Sequence, residues 1–80
     1  MKILDLGFNN TVVLDKVVAV VSAEAAPLKR LREEAKRQGR LIDATQGRKT
    51  RAIVVTTSNH IILSGINPAT LAERIKMERG

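Results

Sequence analysis

The chain has 80 residues, 44% of them hydrophobic, with no cysteine and a formal net charge of +6. So short a chain reads as a single domain over residues 1–80, whose core supplies little stability beyond the chain entropy it must offset. Without cysteine, disulfide staples and thiolate metal sites are excluded, and the lone His60 cannot build a zinc site unaided, so no metal or cofactor is expected.

In chain order, residues 3–6 and 11–14 predict two short strands around the turn Gly7-Phe8-Asn9-Asn10. Residues 17–21 form a run of valine and alanine, too short for a helix and suited to a buried strand. Pro27 opens a helix, where its missing N–H is harmless, and Gly39 closes it. Leu28, Leu31 and Ala35 recur at helical spacing on the predicted core side. Residues 41–44 predict a further strand, and residues 51–56 and 60–66 a hairpin around Thr57-Ser58-Asn59. Asn67-Pro68 starts a second helix with the apolar stripe Leu71, Ala72 and Ile75, fraying over residues 77–80. Together these predict an α+β fold: a small, mainly antiparallel sheet with two short helices.

Several of the strands are apolar at successive positions, so both faces of the sheet are greasy. Two short helices cover about one face, and the other face or an edge is expected to take another copy of the chain. The opening Met1-Lys2-Ile3-Leu4-Asp5-Leu6 sets an acid where a secretory leader would stay apolar. No apolar run approaches the ~20 residues of a membrane span. The expected location is the cytoplasm, at the nucleoid, with no membrane partner.

The charge is unevenly placed. Residues 29–51 carry nine basic side chains against three acids, a surplus of +6 that equals the whole chain's, while the remainder balances. This window ends in the cationic turn Gly47-Arg48-Lys49-Thr50-Arg51, which runs into the apolar residues 52–55. An isolated charged turn is as readily a solvated loop. Clustered with the cations of the preceding helix, it predicts a polyanion site in which each phosphate neutralised releases counterions. The candidate contacts are Arg48, Lys49 and Arg51, joined by Lys29, Arg30 and Arg32. Arg48 and Arg51 can fork onto guanine, whereas Lys49 is a point charge for phosphate.

Single-strand binders stack bases on aromatics, and Phe8, the chain's one aromatic, is expected in core or turn packing. Duplex DNA is therefore the favoured partner. Catalysis finds no support. Gly47-Arg48-Lys49-Thr50 lacks the spacing of a phosphate-binding loop, Asp43 is a lone carboxylate, and His60, with no nucleophile at motif spacing, reads as structural. No small-molecule substrate is expected.

Four segments carry a resemblance: Ser22-Ala23-Glu24-Ala25-Ala26-Pro27-Leu28-Lys29-Arg30, Gly39-Arg40-Leu41-Ile42-Asp43-Ala44-Thr45, Gly47-Arg48-Lys49-Thr50-Arg51-Ala52 and Ile61-Ile62-Leu63-Ser64. With Leu6-Gly7-Phe8-Asn9-Asn10 and Asn67-Pro68-Ala69-Thr70 they resemble the RemA family of small bacterial regulators of extracellular matrix genes, over residues 3–75. The resemblance implies a DNA-binding activator of biofilm matrix operons. It also implies a ring-shaped homo-oligomer of about seven or eight subunits, with DNA engaged around the rim. The family's paired arginines after a glycine map to Arg48 and Lys49. Lys49 keeps the charge but not the fork of the usual second arginine. The runner-up is a scaffolding ring whose basic face binds an acidic protein or RNA.

Overall fold

A computed structural model of the chain describes residues 1–25 and 27–79. Strand β1 (Ile3–Gly7) turns into β2 (Asn10–Val13), and a 3-10 turn (Leu14–Lys16) leads to β3 (Val17–Ser22). Helix α1 (Leu28–Arg37), the strands β4 (Leu41–Asp43), β5 (Ala52–Thr56) and β6 (Ile61–Ser64), and helix α2 (Pro68–Arg79) complete the order. The α+β reading holds, and most pairings are antiparallel. β1 and β2 form a separate two-stranded ribbon, while the main sheet has the order β3-β5-β6-β4. β4 is the exception to the antiparallel rule, because it pairs in parallel with β6.

Local chemistry explains the helix ends. At the close of α1, Gly39 adopts φ +71°. Its N–H donates to the Lys36 carbonyl at 3.1 Å, and the Arg40 N–H donates to the Ala35 carbonyl at 2.9 Å. That pair of bonds is a Schellman cap, which needs a left-handed residue where glycine stands. At the start of α2, the Asn67 side chain accepts the Ala69 N–H at 2.8 Å, with Pro68 in the first turn. The helix continues through Arg79 rather than fraying at residue 77, and the rest of the expected frayed end lies outside the described residues.

Two apolar clusters lie on opposite faces of the sheet. On one, Leu28, Leu31 and Ala35 of α1 cover Ile53, Ile61 and Leu63. On the other, Leu4, Leu6 and Leu14 join Leu71 of α2 over Ala44, Ala52, Val54 and Ile62. This corrects the expectation of an uncovered face. The β1–β2 ribbon and α2 together cap the side that α1 leaves bare, so the monomer needs no partner there. Its edges are what stay open. β3 is also not a buried strand: it lies at the sheet's edge, with a bulge between Val17 and Ala19 that leaves Val18 63% exposed. Ala72, expected in the apolar stripe of α2, is exposed, since it is turned about 100° around the helix from Leu71.

Leu71 is completely buried between ribbon and sheet. Leu71→Ala is expected to cost about 2–5 kcal/mol, as much as a small domain can spare. Urea unfolding checks this; a loss below ~1 kcal/mol would mean that α2 contributes little to the core.

Candidate nucleic-acid interface

The register gathers one pole of the molecule. Ser22 pairs with Ala52, Ala52 with Ser64, and Asp43 with Leu63, so β3, β4 and β6 end where β5 begins. Because α1 and α2 follow β3 and β6, both helices start from this end. The β1–β2 turn is tied in as well, through the bond the Ser64 hydroxyl donates to the Leu6 carbonyl at 3.1 Å.

The cationic loop crosses this pole and is anchored at both ends. On its way in, the Asp43 carboxylate accepts the Thr45 hydroxyl at 2.6 Å and the Thr45 N–H at 2.9 Å. The Thr45 carbonyl then accepts the Arg48 N–H at 3.0 Å across Gln46 and Gly47, whose φ values of +54° and +78° mark a type I′ turn. On its way out, the Arg51 N–H donates to the Ser64 carbonyl at 2.9 Å and the Arg51 carbonyl accepts the Ala23 N–H at 3.0 Å. The side chains of Arg48, Lys49 and Arg51 point out from this pinned backbone and are exposed.

The six candidate residues fall on separate surfaces rather than one patch. Lys49 and Arg51 line a cleft with Ser22, Leu28, Asn67 and Pro68, against the starts of both helices. Arg48 turns the other way, its guanidinium 5.0 Å from the centre of the Phe8 ring. Lys29 and Arg32 line a groove between α1 and β4, together with Lys36, Glu33 and Asp43. Arg30 sits on another side of α1, beside Pro27, Leu31 and Glu34. Among the described residues the ion pairs are Arg37–Glu34 and Lys76–Glu73, so none of the six spends its charge on an acid. Arg40, by contrast, is committed to the Gln38 side chain at 2.6 Å and the Asn59 carbonyl at 3.2 Å.

The model of the family described as "RemA-like: Extracellular matrix regulatory protein A-like" matches residues 3–75. The chain belongs to the RemA-like family. A relative from Pseudothermotoga lettingae is 60% identical over 74 residues, covering 92% of this chain and 81% of its own length. One from Syntrophobacter fumaroxidans is 54% identical over 80 residues, covering 100% and 85%. One from Kosmotoga olearia is 60% identical over 72 residues, covering 90% and 73%. Each carries the name "Putative regulatory protein". Among the described residues, no helix is long and apolar enough to cross a membrane.

In this RemA-like chain, Phe8 is not a core residue; it is 41% exposed at the tip of the β1–β2 turn, beneath Arg48. Asn9 and Gln46, which sequence patterns do not single out, share its hollow. The one signal was the position of Phe8, a lone aromatic between Gly7 and Asn9 in a turn where a core residue would be wasted. His60 accords with its structural reading, with its Nδ1 2.6 Å from the Ser58 hydroxyl and its N–H bonded to the Thr56 hydroxyl at 3.0 Å.

Asp43 anchors the loop rather than pairing with Arg51. The Thr45 hydroxyl, then the Thr45 N–H, hold its pKa below the ordinary 3.8, with help from the charge of Arg32 and against the opposing effect of burial. A depressed carboxyl pKa contributes stability that is present above pH 3.8 and lost as pH falls through the lower folded-state value. Asp43→Asn is therefore expected to lower Tm at neutral pH and to narrow its gap to wild type as pH drops below ~4. Thermal melts from pH 3 to 7 check this; a gap that stays constant would rule out the carboxylate as the anchor.

Proposed function

We propose that the chain is a non-enzymatic regulator that binds duplex DNA through its basic pole. The observation that carries this reading is the cleft in which unpaired Lys49 and Arg51 meet the starts of α1 and α2. Helix N-termini present unsatisfied N–H groups and the positive end of a dipole, and two cations beside them suit a phosphate. Both cations stand on backbone anchored to β3 and β6, so they approach DNA with little ordering left to do.

One such pole offers few phosphate contacts, and an oligomeric ring supplies the rest. Repeated poles on one bent duplex raise avidity by orders of magnitude without any new contact. What supports assembly is the sheet itself. β3 and β4 are both edge strands, β3 carries no charged residue, and Val18 projects from its bulge. An uncharged edge of this kind invites strand pairing with another copy. The family description extends the reading to extracellular matrix genes, with the ring acting at the nucleoid as a transcriptional activator.

The test is binding of a random-sequence duplex at several salt concentrations, against single-stranded RNA of equal length. Steeply salt-dependent binding with preference for the duplex is expected. No duplex binding at low salt would overturn the regulator reading. RNA bound as tightly as the duplex would favour a scaffold that engages RNA.

A further inference from the structure

We propose that Phe8, Asn9, Gln46 and Arg48 form a base-reading head, distinct from the phosphate cleft of Lys49 and Arg51. This rests on the duplex-DNA reading and adds to it a division of labour within one loop.

Strain points to the head first. Four non-glycine residues among those described take positive φ: Phe8 at +54°, Asn9 at +66°, Gln46 at +54° and Asn59 at +66°. Three of the four line the same exposed hollow, of about 430 Å³. Left-handed backbone is tolerable for asparagine but unfavourable for phenylalanine, whose ring makes no local hydrogen bond in return. Such strain persists only where the surrounding structure imposes it, and it clusters at functional sites. Here the imposing structure is at hand: the tie from Ser64 to Leu6 before Phe8, and the Asn10 amide reaching the Ala44 carbonyl at 3.4 Å after it.

Chemistry is the second argument. A guanidinium 5.0 Å above the Phe8 ring is held flat by attraction to the ring's face, which leaves its N–H edges directed outward. A flat, pre-oriented guanidinium is the group that forks onto guanine O6 and N7. The side-chain amides of Asn9 and Gln46 flank it, and an amide pairs in the same bidentate way with adenine N6 and N7. Phe8 thus acts as a positioning residue, and Arg48, Asn9 and Gln46 as the readers. Lys49, next in sequence, faces the other cleft and can attract phosphate but not fork onto a base.

The partner this head fits is the edge of a purine-containing step in the major groove, met once per engaged copy. Selection from a randomised duplex pool tests it, comparing wild type with Phe8→Leu, Phe8→Tyr, the double variant Asn9→Ala/Gln46→Ala, and Lys49→Ala. Wild type and Phe8→Tyr are expected to enrich one short element containing guanine or adenine. Phe8→Leu and the amide double variant are expected to hold random-duplex affinity within about threefold and to keep the salt slope, yet lose the enrichment. Lys49→Ala should do the reverse, losing affinity and slope while still enriching the element.

Three results would overturn the inference. Phe8→Leu and the amide double variant, both folded by circular dichroism, might enrich the wild-type element undiminished. They could lose random-duplex affinity as severely as Lys49→Ala, which would make the head another backbone contact. Alternatively, wild type could prefer single-stranded RNA in a manner abolished by Phe8→Leu, which would make the ring a stacking platform. Wild type that binds no duplex at any salt would instead remove the DNA reading itself.

Discussion

Replacing Arg48 and Arg51 together with alanine is expected to reduce affinity for random-sequence duplex at least tenfold at low salt and to flatten the salt dependence, with Tm nearly unchanged. Each phosphate contact removed should lower the slope of log K against log salt by about 0.9. In a ring the loss is multiplied over every engaged copy, so the fall in slope exceeds two as soon as more than one pole binds. Stability should hold because the loop is secured by main-chain bonds at Arg48 and Arg51, which alanine keeps. Both side chains are exposed, and neither is paired with an acid. Fluorescence anisotropy across a salt series, beside a thermal melt, reads both quantities. A drop in Tm of more than about 5 °C would recast one of these arginines as structural, since that corresponds to ~1 kcal/mol in a domain of this size.

Val18→Asp should have the larger effect on assembly. A carboxylate at the bulge of β3 sets charge on an edge that carries none, a device by which natural sheets refuse edge-to-edge pairing. Each copy already bears +6, so the basic surfaces repel one another and the uncharged edge is the surface left for contact. Sedimentation of the wild type is expected to show a closed species of several copies, and Val18→Asp a monomer. Duplex affinity of the monomer should fall by about two orders of magnitude or more, because avidity disappears while each pole stays intact. An unchanged oligomer in Val18→Asp would move the interface elsewhere. A wild type that sediments as a monomer at every concentration would sink the ring altogether. Since Val18 is far from the core clusters, the variant's fold should be unaffected, and circular dichroism checks that.

The two mutants separate hypotheses that the sequence alone joins. Charge clustering along residues 29–51 suggested one basic patch. The fold divides that window into a pole, a groove beside β4 and an outer helix face, because α1 turns Lys29 and Arg32 about 100° away from Arg30. Lys29→Ala and Arg30→Ala therefore need not behave alike, although they are neighbours in the chain.

What the sequence by itself determined here is whatever depends on near neighbours. Pro27, Gly39 and Asn67-Pro68 set the helix ends through groups within about one turn of each, and all three work as the local chemistry requires. The spacing of Leu28, Leu31 and Ala35 fixes the buried side of α1 for the same reason. The alternation along β5 and β6 sorts Ile53 from Val54 and Ile61 from Ile62 onto opposite faces. Tertiary structure alone decided the rest. That β4 runs parallel to β6, that the ribbon and α2 close the second face, and that β3 is an edge all follow from sheet order, which no local period encodes. The meeting of Phe8 with Arg48, 40 residues apart, has the same origin. The register brings the ends of β1, β4 and β6 to one pole, and there an aromatic that looked like core material became the support for a cation.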